Sequence, residues 1–501
     1  MRKILVISVF MLLIASGAVF AAEDTLVEGF QYDATSFDPH VTSDIASQNV
    51  MVQIYEALMK VNPKGELKPH LAEKVEQIDD TTYKFTLRKN VKFHNGETLK
   101  ASDVKFTLLR GLNEGQATGY VVASINPDGI ETPDDSTVII KLKKPDATFL
   151  AYMAHIGGAC ILNEKAVKAA GDDYGMNPVG TGPYKFQSWV KGDRVTLVRN
   201  DDYWGEKAKI KNVVFRPIAE ATNRTIELET GGVDIAFSIQ PLDLSRIEGN
   251  QKLKLFRNKD TSVYTIGINA ERPALKDIKV RQAISLAIDS EALNKAVYRG
   301  VGTVGRTVLP MTLPYYDATA PAHEYDPEKA KKLLAEAGHE KGLKLVLVSN
   351  ENKERIDTMT IAQSMLKKVG IESEIQVIEW GVYLDKLVQG EYDLCSGGWS
   401  CSVLDPDEAI YGQYHSSEIG AGYNWVHLRD KEVDRLIEEG RTAADSSKRG
   451  EVYKELQKRI NDMYVVVITN SGEELIAMNS NVQGLSPSAL DLFDVAPVTF
   501  K

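Results

Sequence analysis

The sequence predicts an α/β protein whose second half is organised on a parallel sheet. Two patterns and one bound carry that reading. Between about residues 340 and 400, strand-like and helix-like runs alternate in βαβαβ order. Strands joined through helices pair in parallel, with the helices over their faces. Near Tyr264, short alternating runs punctuated by Gly and Pro give way to long helices, so the chain holds more than one folding unit. With 501 residues it has room for two or three domains.

The chain opens Met1-Arg2-Lys3, runs apolar from Ile4 to Phe20 and then meets small residues at Ala21-Ala22. A basic start, a short apolar core and a small-residue end describe a signal peptide rather than a membrane span. Val19 and Ala21 stand at the −3 and −1 positions for cleavage after Ala21, so residues 1–21 are expected to be removed. No Cys stands near that point. A lipid anchor is therefore not expected, and the mature chain is expected in the periplasm or outside the cell. Losing Arg2 and Lys3 takes the formal charge from −11 to −13. That acidity argues against nucleic acid and anionic lipid as partners. Three Cys are an odd number and no disulfide framework; Cys395 and Cys401 either pair or stay as buried thiols.

In chain order, Leu26–Phe30 is a short strand and Asp33–His40 a loop rich in Asp, Ser, Thr and Pro. A helix follows from about Ile45 to Met59, with Val50, Ile54 and Leu58 on one face. Tyr83, Phe85 and Leu87 alternate as a half-buried strand, His94-Asn95-Gly96 turns, and Ser102 or Asp103 caps a helix carrying Val104, Leu108 and Leu112. Another strand spans residues 137 to 142, and 145–170 contains two short helices. The stretch Asn177–Phe186 joins Asn, Pro and Gly to an alternating Tyr184, Phe186 run, and reads as a rigid crossing that feeds a strand. Strands near 194–199, 213–217 and 233–237 frame a helix near 222–229. In the second half, Asp326-Pro327-Glu328 starts a helix by capping, by Pro at the first helical position and by the helix dipole. Strands near 343–348, 371–378 and 392–395 alternate with helices near 356–369 and 382–388. Helices near 431–440 and 446–462 and a strand near 464–469 close the pattern.

Catalysis finds no foothold. G-x-S-x-G, H-E-x-x-H and the Gly-Lys-Ser/Thr phosphate loop are all missing from the sequence. S-x-x-K occurs at Ser102–Lys105, which is a helix start, and at Ser364–Lys367, which lies mid-helix. No catalytic residue and no cofactor are expected. The eight His show no ligand spacing, and only Cys395, Cys401 and His415 could converge, so no metal is expected either.

The phrases of the sequence resemble the peptide/nickel class of solute-binding proteins that serve ABC importers, the dipeptide- and oligopeptide-binding family 5. The matching phrases include Ser36–His40, Ile54–Leu58, Tyr83–Arg88, Val91–Gly96, Ala101–Val104, Asn177–Phe186, Arg199–Trp204, Val280–Ala283 with Ala287–Asp289, and Tyr325–Ala330. Their order holds from about residue 25 to 470. The resemblance implies a two-lobed periplasmic-binding-protein fold of type II, the large class with an inserted subdomain and a ligand cleft between the lobes. Lobe I would comprise 22–55, 180–262 and 471–501, the inserted subdomain 56–179, and lobe II 263–470. Two crossings, near 261–266 and 469–474, would let the lobes close on a solute. Asn177–Phe186 would be scaffold at the exit of the subdomain.

Trp380 and Trp399 follow two strands predicted to be parallel, so both leave one sheet end, where α/β proteins bind ligands. The resemblance adds that Trp at these places lines side-chain pockets in peptide-binding members. Gly398, in the run Gly397–Ser402, would let ligand approach the backbone. Members that bind free peptides carry Asp three residues after this Trp, facing the ligand amine; here the residue is Ser402, which lacks a carboxylate's charge-assisted bond. The basic residue that some members place on the preceding strand is not visible in Leu345–Asn350, and Asp405 is expected to be structural. Thr35, Gln240 and Tyr120 are placed at the cleft by resemblance alone. The implied function is the extracytoplasmic binding subunit of an ABC importer. It would be a monomer that captures a peptide or peptide-like solute and delivers it to permease and ATPase subunits. The alternatives are a receptor for a metal chelate or other non-peptide solute (nickel, haem or opine-like) and a chemosensory ligand carrier.

Overall fold

A computed structural model describes residues 24–501 apart from 43, 115–117, 323, 421–422 and 444. The predicted signal peptide and its cleavage point lie outside the described residues, as does His323. Among the described residues no helix is long and apolar enough to cross a membrane.

Two long strands, Leu253–Ile268 and Val466–Asn479, run antiparallel through the middle of a ten-stranded sheet. Leu394–Trp399, Leu343–Asn350 and Ile371–Ile378 continue the sheet on one side; Ile235–Ala236, Thr25–Phe30, Asn212–Pro217, Arg194–Arg199 and Tyr184–Val190 continue it on the other. The predicted parallel unit is present. Leu343–Asn350 pairs in parallel with Ile371–Ile378 along its whole length and with Leu394–Trp399 at Leu347 and Val348. The helices Lys353–Lys368 and Trp380–Gln389 make the crossovers. The last strand runs further than expected and ends on Trp399.

The long pair is not continuous. Its register breaks between Lys259 and Val263 and again between Tyr264 and Thr265. Asp260–Ser262 fill the first break, and Gly472 lies against them: a Cβ there would come within 2.3 Å of Asp260 Oδ1. Separate apolar clusters lie on the two sides of the break. One gathers Leu26, Tyr184, Phe215, Ile476 and Val495, and the other Ile266, Ile284, Leu347 and Val467. A further cluster of Val308, Ile410, Leu436 and Leu456 joins the helices Pro406–Tyr414, Lys431–Thr442 and Ser446–Asp462.

A separate four-stranded antiparallel sheet, ordered Ala72–Asp79, Thr82–Leu87, Thr137–Leu142, Ile125–Asp134, forms a subdomain with the helix Ala101–Glu114. The alternation of Tyr83, Phe85 and Leu87 buries all three against Val104, Leu108 and Ile140. Each such side chain contributes about 1.5–3 kcal/mol of transfer free energy. Cys160, Leu162, Val167 and Tyr174, though close in sequence to this subdomain, pack in the Leu26–Tyr184 cluster instead.

The first helix, capped by Asp44, ends at Ile54, earlier than the apolar spacing predicts. The reason lies in Asn177–Phe186. Gly182 N donates to the Ile54 carbonyl at 2.9 Å, and Cβ atoms at Gly180 and Gly182 would fall 2.0 and 2.5 Å from the Ile54 and Gln53 carbonyls. Only glycine permits that approach. The buried Glu56 carboxylate then ties three separated phrases together. It accepts from Thr181 Oγ1 (2.8 Å), Tyr203 OH (2.7 Å) and Trp204 Nε1 (2.8 Å), and faces His70 Nε2 at 2.7 Å. The helix at 101 starts one residue before the predicted cap, and Asp103 instead accepts from Lys100 N within its first turn.

Candidate functional site

Because Leu343–Asn350, Ile371–Ile378 and Leu394–Trp399 are parallel, the segments that follow them emerge at one edge of the sheet. Trp380 is the first residue of its helix, whose N-terminus Glu379 caps by accepting from Gly381 N at 2.8 Å. Its indole is 42 % exposed and stacks on Tyr383 at 5.7 Å between centroids. The Arg355 guanidinium stands 5.4 Å from the Trp380 centroid. Arg355 belongs to the first turn of Lys353–Lys368, capped by Asn352, and its Nη1 reaches Asn350 Oδ1 at 3.3 Å. With Tyr264, Tyr298, Asn352 and the Glu354 carboxylate, the Asn350, Arg355 and Trp380 side chains line a pocket of about 410 Å³. A planar cation, an aromatic face and two amides can hold a carboxylate or another flat anionic group. The sequence reading sought a cation on Leu345–Asn350 and missed Arg355. The available signal was a helix start directly after a parallel strand, which delivers its first-turn residues to the same edge.

Trp399 pairs with Val263 across the sheet and meets Tyr423 edge-on at 5.0 Å. Its buried Nε1 has no hydrogen-bond partner among the described residues. Gly398 has a packing reason for being glycine: a Cβ would lie 2.9 Å from the Tyr264 ring. Ser402 is held from below by Glu408. Ser402 N and Oγ donate to the Glu408 carboxylate at 2.9 and 2.7 Å, and Val403 N donates at 2.9 Å. Burial raises the Glu408 carboxyl, while the bonds from Ser402 and Val403 pull it back down. So a carboxylate does stand at this place, six residues beyond Ser402. The signal was Asp405-Pro406-Asp407-Glu408, where Glu at the third helical position can reach back to free N–H groups. Asp405 is structural, as expected: it accepts from Asp407 N at 2.9 Å and forms a two-bond pair with Arg449 at 2.8 Å each.

Tyr120 and Ser402, 282 positions apart, are brought together, with the phenol 3.2 Å from Ser402 Oγ and 3.4 Å from His155 Nε2. Burial pushes Tyr120 up to about 12 and His155 down to about 4, so both are neutral at pH 7. Thr35 is tied to the start of the first helix: its Oγ1 donates to Asp44 Oδ2 at 2.6 Å and its N to Ser47 Oγ at 2.9 Å. Gln240 is exposed just before the short turn Pro241–Asp243. No hydrogen bond among the described residues joins Thr35 or Gln240 to the 398–402 segment. Nearby Ser238, in the left-handed region at φ 52, donates N and Oγ to Glu474 at 2.7 and 3.0 Å. At the strand break burial raises the carboxyls of Asp260, Glu474 and Asp491; Asp260 repels the other two, and Glu473 repels Asp260. All three thiols are free and buried. Among the described residues no group of three His, Cys, Asp or Glu is placed to hold a metal.

The profile of the bacterial extracellular solute-binding proteins, family 5 Middle, matches residues 66–421. The chain belongs to this family. The dipeptide-binding protein of Escherichia coli (strain K12) is 32 % identical over 92 % of this chain and 91 % of its own length. A solved structure, the ABC transporter-associated periplasmic binding protein DppA from Helicobacter pylori with the peptide STSA, superposes with TM-score 0.80. It is 26 % identical and covers 95 % of this chain and 98 % of its own. HbpA2 from Haemophilus parasuis superposes with TM-score 0.87 at 26 % identity, covering 95 % of this chain and 100 % of its own. Like these neighbours, this solute-binding protein has the two-lobed α/β fold of family 5, and its parallel-strand edge carries both tryptophans.

Proposed function

We propose that this solute-binding protein captures a peptide or peptide-like solute between two lobes and delivers it to the permease and ATPase subunits of an ABC importer. The lobes are 22–55, 180–262 and 471–501 on one side and 263–470 on the other, with 56–179 inserted in the first. They bend at the strand break around Asp260–Ser262 and Gly472. The observation that carries the reading is the Arg355–Trp380 pocket at the parallel-strand edge, with its guanidinium, aromatic wall and amides; Ser402, backed by the Glu408 carboxylate, is a second, separate polar group. Trp399, Gly398, Tyr120, Thr35 and Gln240 are carried in this reading as further candidate contacts outside that pocket. The names of relatives support the chemistry, since one is a dipeptide-binding protein and one was solved with a tetrapeptide. Mature protein is a monomer that begins at Ala22, which intact mass and light scattering of exported material will check.

The test is a thermal-shift screen with di- to hexapeptides, N-acetylated and C-amidated peptides, amino acids, sugars, haem and nickel chelates. Peptides are expected to raise the melting temperature. No shift with any peptide overturns the reading. A shift with haem instead would favour the second reading, which a relative named heme-binding protein A (29 % identical) makes worth including.

A further inference from the structure

The four-stranded subdomain touches the helical cluster of 308–466 at a second place, away from the Trp380 pocket. Ala147 N donates to the Arg441 carbonyl at 2.8 Å, and the Tyr120–Ser402 contact lies in the same boundary. Between the two bodies lies a cavity of about 600 Å³ whose walls include Tyr83, Asp146 and Leu150 on one side and Pro314, Tyr315 and Arg449 on the other. Asp407, two residues on from the wall residue Asp405, is buried. Its Oδ1 lies 3.2 Å from Arg441 Nε but makes no hydrogen bond among the described residues. Arg441 is itself held over the Tyr411 ring at 3.9 Å.

The charges do not balance. Among the described residues, Asp405 and Asp407 on the helical side and Asp146 on the subdomain bring three carboxylates to the two guanidiniums of Arg441 and Arg449, while Glu408 beside Asp405 is bonded by Ser402 and Val403 and not by an Arg. Tyr152 of the subdomain and Tyr453, whose buried OH has no partner among the described residues, border the same group and add no cation. Excess buried negative charge of this kind is relieved by binding a proton.

We propose that the contact between the subdomain and the helical cluster is a proton-operated clasp, which holds when Asp407 is protonated and loosens when it ionises. Burial pushes Asp407 up to about 7; Arg441 and Arg449 pull it down, and Asp405 and Asp146 push it further up. Separating the bodies lets water reach the carboxyl and returns it toward the ordinary carboxylate range. The joined state therefore binds the extra proton, and the contact strengthens as pH falls through 7. Proton linkage through one such group strengthens the contact by up to about tenfold between pH 8 and pH 6.

The test places fluorophores at Gln77→Cys on the cavity wall and at Ser447→Cys, the exposed neighbour of the wall residue Ser446, the three native thiols being buried. Energy transfer in the solute-free protein is expected to rise from pH 8.5 to pH 6, the rise setting in near pH 7, and to stay high at both pH values in Asp407→Asn. Transfer that is flat with pH in the wild type, or that changes equally in Asp407→Asn, overturns the clasp. If Asp407→Asn does not fold, Asp146→Asn on the opposite side gives the second measurement. There the rise should set in at lower pH, and an unmoved onset overturns the proposal.

Discussion

The Trp380 indole and the Arg355 guanidinium contribute little to the fold, because one is partly open to solvent and the other, among the described residues, hydrogen-bonds Asn350 alone. Their effect should appear in binding. Trp380→Ala is expected to weaken peptide binding by more than tenfold, the usual loss when an aromatic anchor is truncated. Its melting temperature should move by no more than about 2 °C, as for most surface changes; calorimetric titration and melting of the same sample check both. Arg355→Met tests the chemistry of the pocket. Wild-type protein should prefer free C-terminal carboxylates over C-amidated peptides by roughly tenfold or more, the worth of a charged hydrogen bond. The variant should lose that preference while keeping affinity for the amidated forms. Equal preference in both proteins would move the carboxylate site elsewhere.

At the scale of elements, two features set the frame and are open to test. The crossing Gly180–Gly182 presses on the carbonyls that end the first helix. Gly180→Ala places a methyl 2.0 Å from the Ile54 oxygen, and should cost about 3 kcal/mol or more in denaturant unfolding, at the upper end of overpacking costs. Gly171, with φ 55 and nothing within 4 Å, separates the effects: an Ala there tests backbone conformation without such a contact. The second feature is Glu28, on the strand Thr25–Phe30 between two parallel neighbours. Burial, then Asp234, pushes its carboxyl up to about 8, and Oε1 lacks a partner among the described residues. The folded chain holds this proton at pH values where the unfolded chain has lost it. Stability from this group is therefore full below the ordinary carboxylate range and falls as pH rises to about 8. Glu28→Gln should remove that slope and raise the melting temperature more at pH 8.5 than at pH 5.

For the whole molecule, a solute that bridges both lobes acts on stability by mass action. A peptide at one hundred times its dissociation constant should add about 2.7 kcal/mol, visible as a rise of several degrees that grows with the logarithm of peptide concentration. The same solute should compact the molecule in small-angle scattering, because closure narrows the cleft around the strand break. Stabilisation without compaction would point to binding on one lobe alone. The two long strands pair on both sides of the break, and the break is where the backbone ladder between them is interrupted.

The sequence alone determined the class, the parallel unit at 343–399 and the places of Trp380 and Trp399. These are local properties: periodicity declares strands and helices, and parallel strands must release their next residues at one edge. The same local reading placed the end of the first helix too late, because the carbonyl that ends it is claimed by Gly182, far along the chain. Only the tertiary structure decided which charged and polar groups meet. Arg355 comes from a helix start, Glu408 reaches back under Ser402, Tyr120 meets Ser402 across 282 positions, and Asp260, Glu474 and Asp491 meet at the strand break. No spacing in the chain encodes such meetings, because they are fixed by how separately folded layers pack.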